Sequence, residues 1–363
     1  MEAPRLYWVV GELSGEQHAT AVIENLKQRL PTVEMRGMGG PAMAQLGVRL
    51  VAAWPEYAVV GFWAVVRHLR KFLRLYRTLQ ADIHAWQPDR VVLVDYPGLN
   101  LRLARWLVRQ GIPVTYFIPP QIWAWNTQRV RYLRHPLIEV LCILPFEREF
   151  YGRHGVQAQY VGSPLVKKLE NIPAYAAEKP YIALLPGSRR HEVEALLPRM
   201  AQLPPLLPEW TFIVSKVAHL PWELYQKRAP TLPIVEGQTH QLLRGAAAAV
   251  VTSGTATLEA ALLGCPSVIV YRGDYLSYWI ARQLVKVPFI GLPNLILGEA
   301  VFPELIQGAC TPSNIATALR YQLQQAERIR TQLHTLREEL GTQDAAELVA
   351  MHLAERLTER NPA

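Results

Sequence analysis

The chain is poor in aspartate and in cysteine. Its 363 residues hold five Asp and three Cys. Cys142, Cys265 and Cys310 lie far apart and form no C-x-x-C pair, so buried, reduced thiols are the expected reading. No D-x-D pair occurs, so a nucleotide diphosphate held through a metal is not expected. His191-Glu192 lacks the second His of a zincin, GELSG and PGSRR lack the spacing of a nucleophile elbow, and no P-loop is present. No uncharged apolar run reaches the ~18 residues that a membrane span needs. The start, MEAPRLYWVVGELSGE, has no basic region, apolar run and small-residue cleavage site, so no secretory signal is expected.

What is present reads as globular. Half the residues are hydrophobic, 19% are charged, and the 28 Pro and 22 Gly are dispersed. The length is enough for two domains of ordinary size. A net charge of +8 implies an anionic partner: nucleic acid, a membrane surface or a phosphorylated substrate. The excess is local. Between Gly61 and Pro136 twelve Arg and Lys face three acids, beside five of the ten Trp. Cations interleaved with aromatics suit a membrane interface or stacked single-stranded nucleic acid.

Along the chain, short apolar runs alternate with Gly or Pro turns and helical stretches. Leu6–Val10, Val91–Val94, Pro113–Ile118 and Glu139–Leu144 read as strands of one parallel sheet covered on both faces. SPLVKKLENIPAYAAEKP after Gly162 reads as a connection, and the alternation restarts with Tyr181–Leu185, Thr211–Val214, Ala248–Thr252 and Ser267–Tyr271. The fold class is therefore α/β with two doubly wound domains, expected at 1–164 and 165–343, and a closing amphipathic helix from Asp344 to Leu357. Two such domains place a ligand crevice at the carboxyl ends of their strands.

Three strand-to-loop junctions carry candidate chemistry. In TSGTATLEA, Ser253 and Gly254 turn into a helix starting at Thr255, whose free amides suit phosphate oxygens. Glu259, one turn further in, suits a ribose diol; the alternative is an ordinary capped helix with a surface Glu. In LLPGSRRHEVE, Ser188 precedes Arg189 at a second helix start, where the guanidinium can neutralise a pyrophosphate or simply lie on the surface. In VVLVDYPGLN, Asp95 ends a buried strand and suits a general base or a helix cap, with Glu12 and Ser14 able to line the same face. A fourth feature is helical: apolar residues at 62, 65, 66, 69, 72, 73 and 76 on one face, and Arg67, Arg70, Lys71, Arg74 and Arg77 on the other. This is either a solvated cationic helix or a membrane-surface helix with Trp63 in the interface.

GELSGEQHA, MGGPAM, YAVVGF, VDYPGLNLRLA, IPPQIWAW, LPFEREFY, VGSPL, LLPGSRRHEVE, SGTATLEAALLGCPSVIVYR and LPNLILG stand in the order and spacing of lipid-A-disaccharide synthases, and the chain resembles that family almost end to end. The resemblance implies an inverting GT-B glycosyltransferase of lipid A synthesis. Such an enzyme moves 2,3-diacylglucosamine from UDP to 2,3-diacylglucosamine 1-phosphate and forms a β-1,6 disaccharide and UDP, with no metal or other cofactor. It implies Asp95 as base for the acceptor hydroxyl, Arg189 and Ser253-Gly254-Thr255 as diphosphate contacts, Glu259 on the ribose and Asn294 as a donor-side polar residue. It also implies a homodimer, a closing helix packed on the N-terminal domain, an anionic membrane surface as partner, no nucleic acid, and a cytoplasmic position on the inner face of the inner membrane. Departures from the family pattern fall in the N-terminal half: Glu16 for Asp, Gly98 for a second acid, Pro119 for Ser, Ser163 for His and Lys167 for Asp. The rivals are another UDP-N-acetylhexosamine transferase, a 2-epimerase, or a nucleotide-lipid binding protein without catalysis.

Overall fold

The chain divides into two compact units, residues 1–164 with 343–363 and residues 165–342. The computed structural model describes residues 3–57, 69–273 and 287–359.

The first unit holds a seven-stranded parallel sheet: β1 (Arg5–Val10), β2 (Glu34–Gly39), β3 (Arg49–Ala53), β4 (Arg90–Val94), β5 (Val114–Phe117), β6 (Ile138–Cys142) and β7 (Ala158–Tyr160). Their order is β3-β2-β1-β4-β5-β6-β7. The central strands are apolar throughout because both faces are covered. On β1, Tyr7 and Val9 enter a core with Leu75, Leu79, Leu103 and Leu107, while Leu6, Trp8 and Val10 enter another with Ala19, Val22, Val349 and Leu353. The second unit holds a six-stranded parallel sheet: β8 (Tyr181–Leu185), β9 (Thr211–Lys216), β10 (Ile234–Glu236), β11 (Ala248–Thr252), β12 (Ser267–Tyr271) and β13 (Glu304–Ile306). Their order is β10-β9-β8-β11-β12-β13. Each sheet reverses its strand order once, between β1 and β4 and between β8 and β11. Carboxyl ends at such a switch point are where open α/β sheets bind ligands.

Helix Ala345–Thr358 is capped by the Asp344 carboxylate, which accepts from the N–H groups of Ala346 (2.9 Å) and Glu347 (3.3 Å). Its Val349, Ala350, Leu353 and Leu357 pack with Ala19, Val22 and Ile23 of helix Leu13–Arg29. A polar clamp adds to this: Glu139 on β6 accepts from Arg90 (3.0 Å), His352 (2.9 Å) and Arg356 (2.8 Å).

Of the amphipathic helix expected from Phe62 to Arg77, residues 62–68, with Trp63 and Arg67, lie outside the described residues. The described part runs further, over Leu69–Trp86. Its buried stripe is Leu75, Leu79 and Ile83, flanked by half-buried Phe72 and Tyr76. Leu73, assigned from the sequence to the apolar face, is 44% exposed. The true stripe steps by three and four from 72 to 83, which leaves 73 among Arg70, Arg74 and Arg77.

Candidate active site

At the first switch point, β1 runs into Gly11 and Glu12, and β4 runs into Asp95 and Tyr96, with Val10 paired to Val94. Asp95 and Tyr96 both adopt left-handed backbone, φ 45° and 46°. Such conformations cost about 1–3 kcal/mol each and persist only where the surroundings impose them. The Asp95 carbonyl accepts from Asn100 Nδ2 (2.8 Å) and from the Tyr116 hydroxyl (2.7 Å), and Asn100 also donates to the Val94 carbonyl (3.2 Å). Gly11 lies under the Tyr96 ring, where a Cβ would come within 2.2 Å of Cγ. These contacts fix the turn and aim the Asp95 side chain.

The Asp95 carboxyl is pushed up to about 7 by burial first, then by the charge of Glu12 and a hydrogen bond with it; the Tyr96 N–H works the other way. Ser14 Oγ donates to Glu12 Oε1 at 2.6 Å and orients that acid. The structure therefore joins Glu12, Ser14 and Asp95 in one cluster. The second carboxyl beside Asp95 is Glu12. Gly98 is exposed, and a Cβ there meets nothing within 4 Å, so packing does not forbid an acid at that position.

Glu16 stands apart from this cluster. Its Oε1 accepts from the N–H groups of Ala42 and Met43 (2.8 and 3.3 Å) and its Oε2 from Trp54 Nε1 (2.6 Å), so it caps helix Pro41–Gln45. Ser163 is buried and Lys167 is exposed.

At the second switch point a cavity of about 560 Å³ opens between the loops after β8 and β11. Ser188, Arg189, Ser253, Gly254, Thr255 and Glu259 all line it. The two turns differ in what they offer. In the first, Glu192 Oε2 accepts from the N–H groups of Ser188 (3.0 Å) and Arg189 (3.1 Å), so an internal carboxylate already takes those amides. Gly187, at φ 113°, is required because a Cβ would lie 2.4 Å from that oxygen. The turn therefore contributes its Arg189 guanidinium, 63% exposed, as the sequence reading had it, and not its amides. In the second, Gly254 (φ 149°) leads into helix Thr255–Leu262 with no side-chain cap. The N–H groups of Thr255 and Ala256 have no intrahelical acceptor there, and they face the cavity with the positive end of the helix.

Three lining residues escaped the sequence reading. Lys216, at the end of β9, is buried; its ammonium is 3.1 Å from Glu236 Oε1 and 5.1 Å from the centre of the Trp222 ring. His240 Nε2 stands 3.4 Å from Glu259 Oε2, and Glu192 braces the first turn. The polar ending of the TFIVSK run at a carboxyl edge was the signal available for Lys216. Asn294 is not a cavity residue. It is fully buried, donates to the Phe302 carbonyl (2.8 Å) and Glu304 Oε1 (2.9 Å), and accepts from the Phe302 N–H (2.9 Å). Its amide braces the loop, with both Nδ2 protons taken by Phe302 and Glu304.

Arg70, Lys71 and Arg74 are exposed. Lys71 is drawn back onto the Glu56 carbonyl and the Tyr57 ring. All three cysteines are buried and free. Among the described residues no group of three or more His, Cys, Asp or Glu is placed to hold a metal, and no helix is long and apolar enough to cross a membrane.

A family model described as lipid-A-disaccharide synthetase matches residues 6–356. The chain belongs to that family. Among curated relatives, the lipid-A-disaccharide synthase of Myxococcus xanthus is 39% identical over 334 residues, covering 87% of each chain. That of Syntrophus aciditrophicus is 37% identical over 364 residues, covering 94% of this chain and 95% of its own. Of the solved structures, the glycosyltransferase of kitacinnamycin superposes with a TM-score of 0.65 at 14% identity, over 98% of this chain and all of that one. The fold is GT-B, and this lipid-A-disaccharide synthetase family member is a glycosyltransferase of lipid A disaccharide synthesis.

Proposed function

We propose that the enzyme transfers 2,3-diacylglucosamine from UDP to the 6-hydroxyl of 2,3-diacylglucosamine 1-phosphate with inversion. The observation that carries this reading is the Glu12–Asp95 pair, where a carboxyl with its midpoint near 7 stands on a braced turn at a sheet switch point. As the acceptor oxygen bonds to the donor anomeric carbon, its proton passes to Asp95. The anomeric carbon–phosphate oxygen bond breaks, and its electron pair leaves with UDP. The departing diphosphate is met by Arg189 and the amides at Thr255 and Ala256, and the ribose hydroxyls by Glu259. These groups do the cationic work without a resident metal. The enzyme works on the cytoplasmic face of the inner membrane, against which the exposed Arg70 and Arg74 are directed.

Product analysis tests this. With EDTA present, the full chain is given either diacylated or unacylated UDP-glucosamine together with the monosaccharide phosphate. The acylated donor is expected to give a disaccharide 1-phosphate and equimolar UDP. Turnover of the unacylated donor alone, or loss of turnover on chelation, contradicts the reading.

A further inference from the structure

The positive charge between Gly61 and Pro136 is not exhausted by helix Leu69–Trp86. Four arginines and a histidine meet around a hollow of about 280 Å³: Arg105 and Arg109 from helix Pro97–Arg109, Arg131 from the turn Thr127–Tyr132, then Arg134 and His135. A second hollow of about 340 Å³ adjoins it and shares Arg131 and Arg134.

The cluster is held together by its own contacts. The Tyr132 ring carries the Arg105 guanidinium 4.8 Å and the Arg131 guanidinium 5.0 Å from its centre, and Arg131 donates to the Tyr132 oxygen at 2.9 Å. One ring thus gathers two cations that repel each other. The Tyr132 hydroxyl is correspondingly lowered, by the Arg131 hydrogen bond first and by the surrounding arginine charges. The Leu137 N–H donates to His135 Nδ1 (3.2 Å), which puts the ring proton on Nε2 and makes that nitrogen a donor.

Among the described residues no acid pairs with these cations: none of the ion pairs includes Arg105, Arg109, Arg131 or Arg134. Arg105 and Arg109 stand one helical turn apart, where like charges oppose folding. An assembly of cations that costs stability and has no counter-ion among the described residues has the character of an anion site.

We propose that this hollow is a second anion site that takes a phosphate monoester, separate from the nucleotide cavity and from Asp95. Guanidinium forks match tetrahedral phosphate oxygens two at a time, and a dianion answers several converging cations better than a carboxylate does. Helix Pro97–Arg109 begins beside Asp95 and rises about 1.5 Å per residue, so the Arg105 and Arg109 backbones stand about 12 and 18 Å along it. No single sugar phosphate spans these distances. The phosphate monoester comes either from a soluble ester or from a lipid headgroup, and the proposal rests on this geometry alone, not on the glycosyl-transfer reading.

The test uses the full chain with glycerol 3-phosphate as probe, titrated by calorimetry. The Arg131→Gln/Arg134→Gln pair is compared with Lys167→Gln/Lys168→Gln, which removes the same charge from exposed lysines elsewhere. Equal thermal midpoints establish that both variants are folded. Saturable binding is expected, weakened about tenfold or more by the arginine pair and within about twofold of wild type for the lysine pair. Competition by vesicles of phosphatidylcholine with phosphatidic acid, beyond that of vesicles with phosphatidylglycerol at equal charge, assigns the ligand to a lipid headgroup. Failure of both vesicle types to compete assigns it to a soluble ester. Equal competition by both vesicle types, equal weakening by both variant pairs, or no saturable binding overturns the proposal.

Discussion

A carboxyl group with its midpoint near 7 changes state across the physiological range, and burial, followed by the charge and hydrogen bond of Glu12, puts Asp95 there. A base accepts a proton only when ionised. The rate at limiting substrate is therefore expected to fall about tenfold per pH unit below that midpoint and to level off above it. Glu12→Gln removes the neighbouring charge that raises Asp95, so the limb is expected to move to lower pH, and a pH–rate profile of the two proteins checks this. A limb that stays in place contradicts the pairing. On the donor side, Glu259→Gln and His240→Ala are each expected to weaken UDP about tenfold, about 1.4 kcal/mol, with that limb unmoved, by calorimetric titration. Asp95, Arg189, Ser253–Thr255 and Glu259 were legible in the sequence because each stands at or just beyond the end of a buried apolar run. Lys216 and His240 were not, because a lysine after an apolar strand and a histidine after a glycine turn are ordinary surface patterns until the fold brings them to one cavity.

At the scale of elements, the closing helix is tied to β6 through one carboxylate. Burial alone would raise Glu139, but the His352 hydrogen bond and the charges of Arg90, His352 and Arg356 together hold it down at about 2. A depressed acid contributes stability that is fully present above its ordinary midpoint of 4.5 and is lost as pH falls from there toward about 2. Glu139→Gln is expected to cost about 2 kcal/mol at pH 7, and the difference from wild type is expected to shrink below that midpoint. Denaturant unfolding at both pH values measures it, and a pH-independent difference contradicts the clamp. The central strands were legible from continuous apolar runs buried on both faces. The outer strands β2, β3, β7, β10 and β13 were not. β2 reads EMRGMG, and its Gly37 at φ 145° allows a backbone approach in which a Cβ would come within 1.9 Å of the Trp8 carbonyl. The glycine here serves a close strand contact.

At the scale of the molecule, each unit places its chemistry at the one point where its sheet reverses order. The first offers a titratable acid pair on a strained turn. The second offers helix-end amides, an arginine and a carboxylate around a cavity. The sequence showed this duplication as two rounds of strand, turn and helix, and the family match accounts for almost the whole length. It also located the charge excess near half the tryptophans. The way Tyr132 gathers two guanidiniums emerged only from tertiary contacts between helix Pro97–Arg109 and the turn Thr127–Tyr132. The central claim is that Asp95 takes the acceptor proton while the second unit alone holds UDP. It is tested most directly by Asp95→Asn, measured for UDP affinity and for disaccharide formation in the same preparation. The account predicts UDP affinity within about twofold of wild type and turnover reduced at least about 10³-fold. Disaccharide formation near the wild-type rate in that variant would contradict it.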